Sequence, residues 1–373
     1  MHKRFIMRLC KKRTQKRMKL DNKHIDFSAI DGRNKPINLI VSEREDGKTT
    51  AFHVIKAKPA FLAGRPTICV RRQQVDITDA YVDSILSIQN KFLGEGEKPF
   101  KFFWKKGDAA QGFLKVYLDE DQTQLAYVVI ALSTPMSRLK SLFIPNPAFM
   151  LTDEFICNTR LGEKYLKDEA MKWKEIYTTF YRESSSPMKA YFLGNPYSLY
   201  NPYFVSFGIN PKELVKNHFV VNESVAAQFH DLKPELKEWI LSRNPLYQFE
   251  DAYTRYALEG QAINDENIKI VDKLPPNYRM DFVFYVDGKY IAVYANNDYT
   301  DFENRFYVGF VNNVGARQSV YCFDFKDLIA RSSLISRNDR DRFSRFKRAV
   351  NARAVAFQSL ECDYLVEETY AEL

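Results

Sequence analysis

Short apolar runs alternate with longer, one-sidedly apolar stretches along the first two hundred residues, and the alternation predicts strands and helices in turn. Ile37 to Val41 is an apolar run of strand length. After eight intervening residues Thr50-Ala51-Phe52-His53-Val54-Ile55 begins a helix. Thr67-Ile68-Cys69-Val70 predicts a second strand, ending in Arg71-Arg72, and Asp76 to Asn90 carries Ile77, Ala80, Tyr81, Ile85, Leu86 and Ile88 as the apolar stripe of a helix. Phe113 to Leu118 and Leu125 to Leu132 flank a polar turn and predict a hairpin. Ala148 to Leu151 predicts a strand, Glu163 to Tyr181 a helix, and Met188 to Leu193 a strand closed by Gly194-Asn195-Pro196. From about Asn210 to Asp265 the pattern is polar and helical, with helices over 235–242 and 251–258. After Pro275-Pro276 it turns to β: Phe282 to Val286, the turn Asp287-Gly288-Lys289, Tyr290 to Tyr294 and Arg305 to Val311 predict a three-stranded meander. Helices should follow, the last spanning 339–360. The fold class expected is α/β with a central, mostly parallel sheet, then a small helical segment and an α+β unit.

A length of 373 residues exceeds what one core usually supports, so two domains are expected. Apolar residues make up 45% and the mean hydropathy is −0.40, the balance of a folded, water-exposed chain. No apolar run approaches the ~18 residues a membrane helix needs, and the basic N-terminus lacks the apolar core of a secretory signal. Five scattered cysteines without a CxxC pair, and five mostly isolated histidines, suggest neither a disulfide framework nor a zinc site. The chain reads as cytosolic. A net charge of +8 suits an anionic partner, and its placement matters more than its size. Residues 1–24 carry ten Lys/Arg against one acid, Asp21, which makes either a nucleic-acid-contacting arm or a solvated tail.

The chemistry gathers around Ser42-Glu43-Arg44-Glu45-Asp46-Gly47-Lys48-Thr49, between the first strand and its helix. Strand, loop and helix in that order make a phosphate-binding loop: backbone N–H groups wrap ATP phosphates, helped by Thr50 at the helix start. Lys48 would reach the β/γ-phosphates and the Thr49 hydroxyl would ligate Mg²⁺. The usual pattern opens with Gly, where this chain has Ser42, and all four of its variable positions are charged. Leu151-Thr152-Asp153-Glu154 supplies the second element, Asp153 for the magnesium and Glu154 to polarise the attacking water. Asn195, at the tip of a strand beside the loop strand, is a polar sensor of the γ-phosphate or a local turn former. Arg71-Arg72 is either a phosphate contact at the strand edge or a solvated pair.

The ordered set SEREDGKT, ICVRR, SRLKS, LTDEF, TTFYRE and LGNPYSLYNPYF, with DFVFYVDGKYIAVY near the end, resembles the DNA-encapsidation ATPases of small tailed phages related to phage phi-29. The likeness covers about residues 36–373. It implies an additional-strand P-loop ATPase domain over 31–210 behind a basic arm (1–30), a helical linker (211–270), and an RNase H-like, vestigial nuclease domain (271–373). It also implies a homo-oligomeric, pentameric ring that moves double-stranded DNA into a prohead through a portal, with a packaging RNA, in the infected host's cytoplasm. Lys140 and Arg182 match positions where the family acts in trans on a neighbour's nucleotide, although TTFYRE has fewer arginines than the family's segment. Asp281, Asp287 and Asp298 form no convincing acid set for two nuclease metals. Two other functions compete: a nuclease-competent large terminase subunit, and a non-catalytic nucleic-acid-binding protein with a degenerate loop.

Overall fold

The computed structural model describes residues 24–369, apart from 106–107, 183, 185, 250–251, 260–267, 297–304, 337–338 and 353. The basic arm therefore lies outside the described residues, as does Asp298. The chain divides into two compact units, one holding the described residues up to Tyr197 and those of 202–259, the other holding 198–201 and the residues from Ile268 onward.

In the first unit, α1 (Ser28–Asp31) leads to β1 (Ile37–Ser42), whose last five residues are all buried. The helix after the loop begins as α2 (Lys48–Ala51), passes through a π-turn (Phe52–Ala57), and ends as α3 (Lys58–Leu62). Then come β2 (Thr67–Arg71), α4 (Asp79–Lys91), β3 (Phe113–Tyr117), β4 (Leu125–Ala131), α5 (Met136–Lys140), β5 (Phe149–Asp153), α6 (Glu169–Arg182) and β6 (Lys189–Gly194). The Thr78 side chain accepts from Tyr81 N, so α4 starts three residues later than the apolar pattern predicts. Residues 163–168 likewise lie outside α6.

Residues 211–270 correct the all-helical expectation. α7 (Pro202–Phe207) and α8 (Pro211–Asn217) are followed by β7 (Phe219–Val221) and β8 (Val225–His230), and only then by α9 (Pro234–Arg243) and α10 (Ala252–Glu259). β8 pairs in parallel with β1, placing Ser42 opposite His230. Its buried Val225-Ala226-Ala227 has little β propensity of its own, so the pairing decides its state.

The eight strands run in the order β3-β4-β2-β5-β6-β1-β8-β7, with antiparallel partners only at the two edges. One strand, β6, separates the phosphate-loop strand β1 from the acidic strand β5, which is the additional-strand arrangement. Because β1, β5 and β6 are parallel, their C-terminal ends open on one edge, where open α/β sheets place ligands. Beneath the sheet, Phe52, Phe61, Tyr127 and Tyr191 pack as one aromatic core. His53 belongs to that core: its Nδ1 lies 3.2 Å from the Tyr127 hydroxyl, and burial pushes its pKa down to about 4.

The second unit is a seven-stranded sheet. β9 (Lys269–Ile270) lies at one edge, and β10 (Tyr278–Val286), β11 (Lys289–Asn296) and β12 (Phe306–Val311) form the antiparallel meander. β13 (Val320–Cys322) pairs in parallel with β10, and β14 (Ser332–Leu334) with β13. The single helix expected over 339–360 is broken into α11 (Arg340–Asn351) and α12 (Leu360–Thr369) by β15 (Val355–Phe357). All three residues of β15 are buried and pair with β12, so ladder bonds and burial outweigh continuation of the helix. Phe282, Phe284, Phe343 and Phe346 hold the sheet and α11 together. No described helix is long and apolar enough to cross a membrane.

Candidate active site

β1 ends at Ser42, and the loop turns twice into the left-handed region, at Glu45 (φ 68°) and Gly47 (φ 65°), before α2 starts at Lys48. Glycine carries the second turn without steric cost; Glu45 does not have that freedom. The departure at Ser42 has a use. Its buried Oγ accepts from Lys48 Nζ at 3.0 Å, and the same ammonium reaches Ser42 O (3.2 Å), Glu43 O (3.0 Å) and Asn195 Oδ1 (2.9 Å). Burial lowers the Lys48 pKa, while Asp46, Asp153, Glu43 and Glu154 act to raise it.

Asn195 arrives from the next strand. β6 pairs with β1 so that Gly194 stands opposite Val41, which brings the side chain one residue on to Lys48. Gly194 cannot be larger: a Cβ there would lie 2.7 Å from the Phe155 ring. From β5, Asp153 Oδ2 accepts from the Thr49 hydroxyl at 2.8 Å. Burial raises the Asp153 pKa, and the Glu154 charge adds to it. A half-buried hydroxyl bonded to a carboxylate this costly to ionise is a hard-oxygen pair suited to Mg²⁺, which keeps most of its waters and takes few protein oxygens. These groups, with Arg44, Thr50 and Glu154, line a cleft of about 240 Å³.

Glu154 follows β5 at φ 55°, a conformation that costs a non-glycine residue about 1–3 kcal/mol and needs support from its surroundings. Arg72 supplies it, donating from Nη2 to Phe155 O at 3.0 Å and to Glu154 O at 3.5 Å. Its Nε is held by both oxygens of Glu169 (3.1 and 3.0 Å), itself 1% exposed and bonded by the Tyr203 hydroxyl at 2.9 Å. Arg71 stacks on Tyr81 and lies 3.7 Å from Glu154 Oε2. Both arginines of the pair are engaged at the Glu154 turn rather than left as solvated charges. Arg72→Ala would leave Glu169 buried without its cation and is expected to destabilise the protein by about 3–5 kcal/mol, measurable by urea unfolding.

The remaining two predicted residues are not brought to this cleft. Lys140, ending α5, pairs with Glu175 on the outer side of α6 at 3.0 Å, both about half exposed. Arg182 is exposed in the last turn of α6. Two turns of chain beyond the reach of sequence reasoning do border the loop: His230 Nδ1 lies 3.1 Å from Asp46 Oδ2, and Tyr247 donates to Glu45 Oε1 at 2.9 Å. The only signal for them was the loop's own excess of acid.

Residues 23–372 match the podovirus DNA encapsidation protein (Gp16) family. The chain belongs to that family. It is therefore a DNA-encapsidation protein. The fold of this encapsidation protein is also that of a solved phage Phi-28 gp11 DNA packaging motor, at 14% identity and a TM-score of 0.62, covering 94% of this chain and 98% of the other. The bacteriophage Phi-29 viral genome packaging motor assembly matches at 19% identity and the same TM-score, covering 94% and 99%. No curated protein sequence matches the chain significantly.

Proposed function

We propose that this encapsidation protein hydrolyses ATP and uses the energy to drive double-stranded DNA into a prohead. The observation that carries the reading is the convergence of Lys48, Thr49, Asp153, Glu154 and Asn195 from three separate segments on one cleft. Phosphoryl transfer needs little covalent chemistry from the protein, so placement of charge and water is most of the catalysis. Backbone N–H groups of the loop and of the start of α2 would hold the phosphates, and Lys48 would exchange its loop carbonyls for β/γ-oxygens. Mg²⁺ held by Thr49 and Asp153 would neutralise charge on the phosphate oxygens. Glu154 would take the proton of the attacking water, its backbone fixed by Arg72. Asn195, bonded to Lys48, would register whether the γ-phosphate is present.

In this reading residues 31–210, extended by β7 and β8, form the motor domain, and 271–373 an RNase H-like domain. Support for the latter is the strand order β12-β11-β10-β13-β14, an antiparallel meander continued by two parallel strands. There Asp287 pairs with Lys326 at 3.3 Å, its N–H bonds Asp327 at 3.0 Å, and Asp281 is exposed. The working form is a homo-oligomeric ring, a pentamer, on the portal of a prohead with a packaging RNA, in the host cytoplasm. DNA-stimulated ATP hydrolysis tests the reading, and its absence would sink it. Plasmid that stays intact in Mg²⁺ or Mn²⁺ separates it from a nuclease-competent terminase subunit.

Packaging must grip the phosphates of any genome, and no base-reading motif accompanies the +8 charge. Duplex binding is expected to be indifferent to sequence and to weaken steeply as salt rises, from counterion release. Filter binding across salt concentrations checks this, and a flat response would count against DNA as the driven substrate.

A further inference from the structure

The phosphate loop is acidic where it must receive an anion. Glu43, Glu45 and Asp46 stand against Arg44 alone within it, and Asp153 and Glu154 face the same cleft. Carboxylates turned toward polyphosphate would oppose binding through repulsion that a partly buried site screens poorly.

All three are held by one distant stretch, residues 230–247. Glu43 Oε2 accepts from Leu232 N at 3.0 Å, Asp46 Oδ2 lies 3.1 Å from His230 Nδ1, and Glu45 Oε1 accepts from the Tyr247 hydroxyl at 2.9 Å. The stretch is in reach because β8 pairs with β1 and sets His230 beside Ser42. The Asp46 and His230 side chains are 3% and 18% exposed, so the pair is shielded from water. Burial, with the charges of Asp231 and Asp46, pushes the Glu43 carboxyl up to about 7. Burial works to lower the His230 pKa, but the bond and charge of Asp46, aided by Glu43 and opposed by Lys233, raise it overall. Acid in the loop and base in the neighbouring strand thus form a matched set.

We propose that His230 and Tyr247 are positioning residues for nucleotide binding, pinning the Asp46 and Glu45 carboxylates so that the loop keeps the shape in which its backbone meets the phosphates. The inference rests on the ATP reading of the cleft. It assigns the loop's unusual acids a role: they are the handles by which the 230–247 stretch fixes the loop's shape.

The test measures MgATP affinity and steady-state kinetics on the full chain. His230→Ala should weaken binding about tenfold, the loss of one close, water-shielded charge pair, with kcat little changed. Adding Asp46→Asn to His230→Ala should restore affinity to near the wild-type value, because a neutral amide needs no counter-cation. Tyr247→Phe, which removes only a hydroxyl, should weaken binding by about threefold and serves if His230→Ala does not fold. Unchanged affinity in His230→Ala, or in Tyr247→Phe where that variant decides, overturns the inference. So does a double variant no better than the single one, since a purely structural role gives no rescue. A wild type that binds no MgATP overturns the nucleotide reading itself, and the inference with it.

Discussion

Replacing Glu154 by Gln is expected to leave ATP bound and to slow its hydrolysis by at least ~100-fold, the scale of losing a positioned base. The expectation comes from how much of the fold is committed to one residue. Glu154 sits in a left-handed turn at the end of β5, Arg72 donates to its carbonyl and the next, and Arg71 lies beside its carboxylate. Gln keeps the size and the turn but cannot take a proton. Lys48, Thr49 and Asp153 are untouched, so affinity should persist. Single-turnover hydrolysis together with equilibrium nucleotide binding makes the measurement, and near-normal turnover would remove Glu154 from the role.

A larger effect is expected at Arg182, for which we propose a role at a neighbouring subunit's nucleotide. α6 starts at Glu169, tied to Arg72 near the Glu154 turn, and fourteen residues carry the chain about 20 Å to Arg182. There the chain is at the far edge of the sheet, where the Ser184 hydroxyl bonds Pro147 O just before β5. Arg182 cannot reach its own cleft from that end. Across a ring interface it can stabilise the neighbour's transferring phosphoryl group, which where isolated is worth about 10³ to 10⁵ in rate. Lys140, paired with Glu175 on the same helix, lies on the same flank and is the second candidate for that contact. Mixing Arg182→Ala subunits with Glu154→Gln subunits should partly restore ATPase activity, because each supplies what the other lacks. Full activity of Arg182→Ala alone would sink the idea, leaving a surface charge worth little. The adjacent Glu183, an obvious alternative partner, lies outside the described residues.

By itself the sequence determined the α/β class, most strands of the first sheet, the meander and the two short motifs at the cleft. Each of these is a local signal: strand and helix periods differ, a phosphate loop needs its glycine and lysine at fixed offsets, and an acidic pair ends an apolar strand. Only the tertiary structure decided what rests on long-range pairing. Residues 225–230 have a composition that fits either state, and β8 exists because β1 offers it a ladder; in the same way, pairing with β12 breaks the last predicted helix at Val355. The cleft divides in the same way. Lys48, Thr49, Asp153 and Glu154 announce themselves by spacing. Arg72, Glu169, Tyr203, His230 and Tyr247 do not, since their parts in holding the Glu154 turn and the acidic loop depend on buried contacts between segments up to about two hundred residues apart. Desolvated charge forces such partnerships, and no local pattern records which partner the fold will deliver.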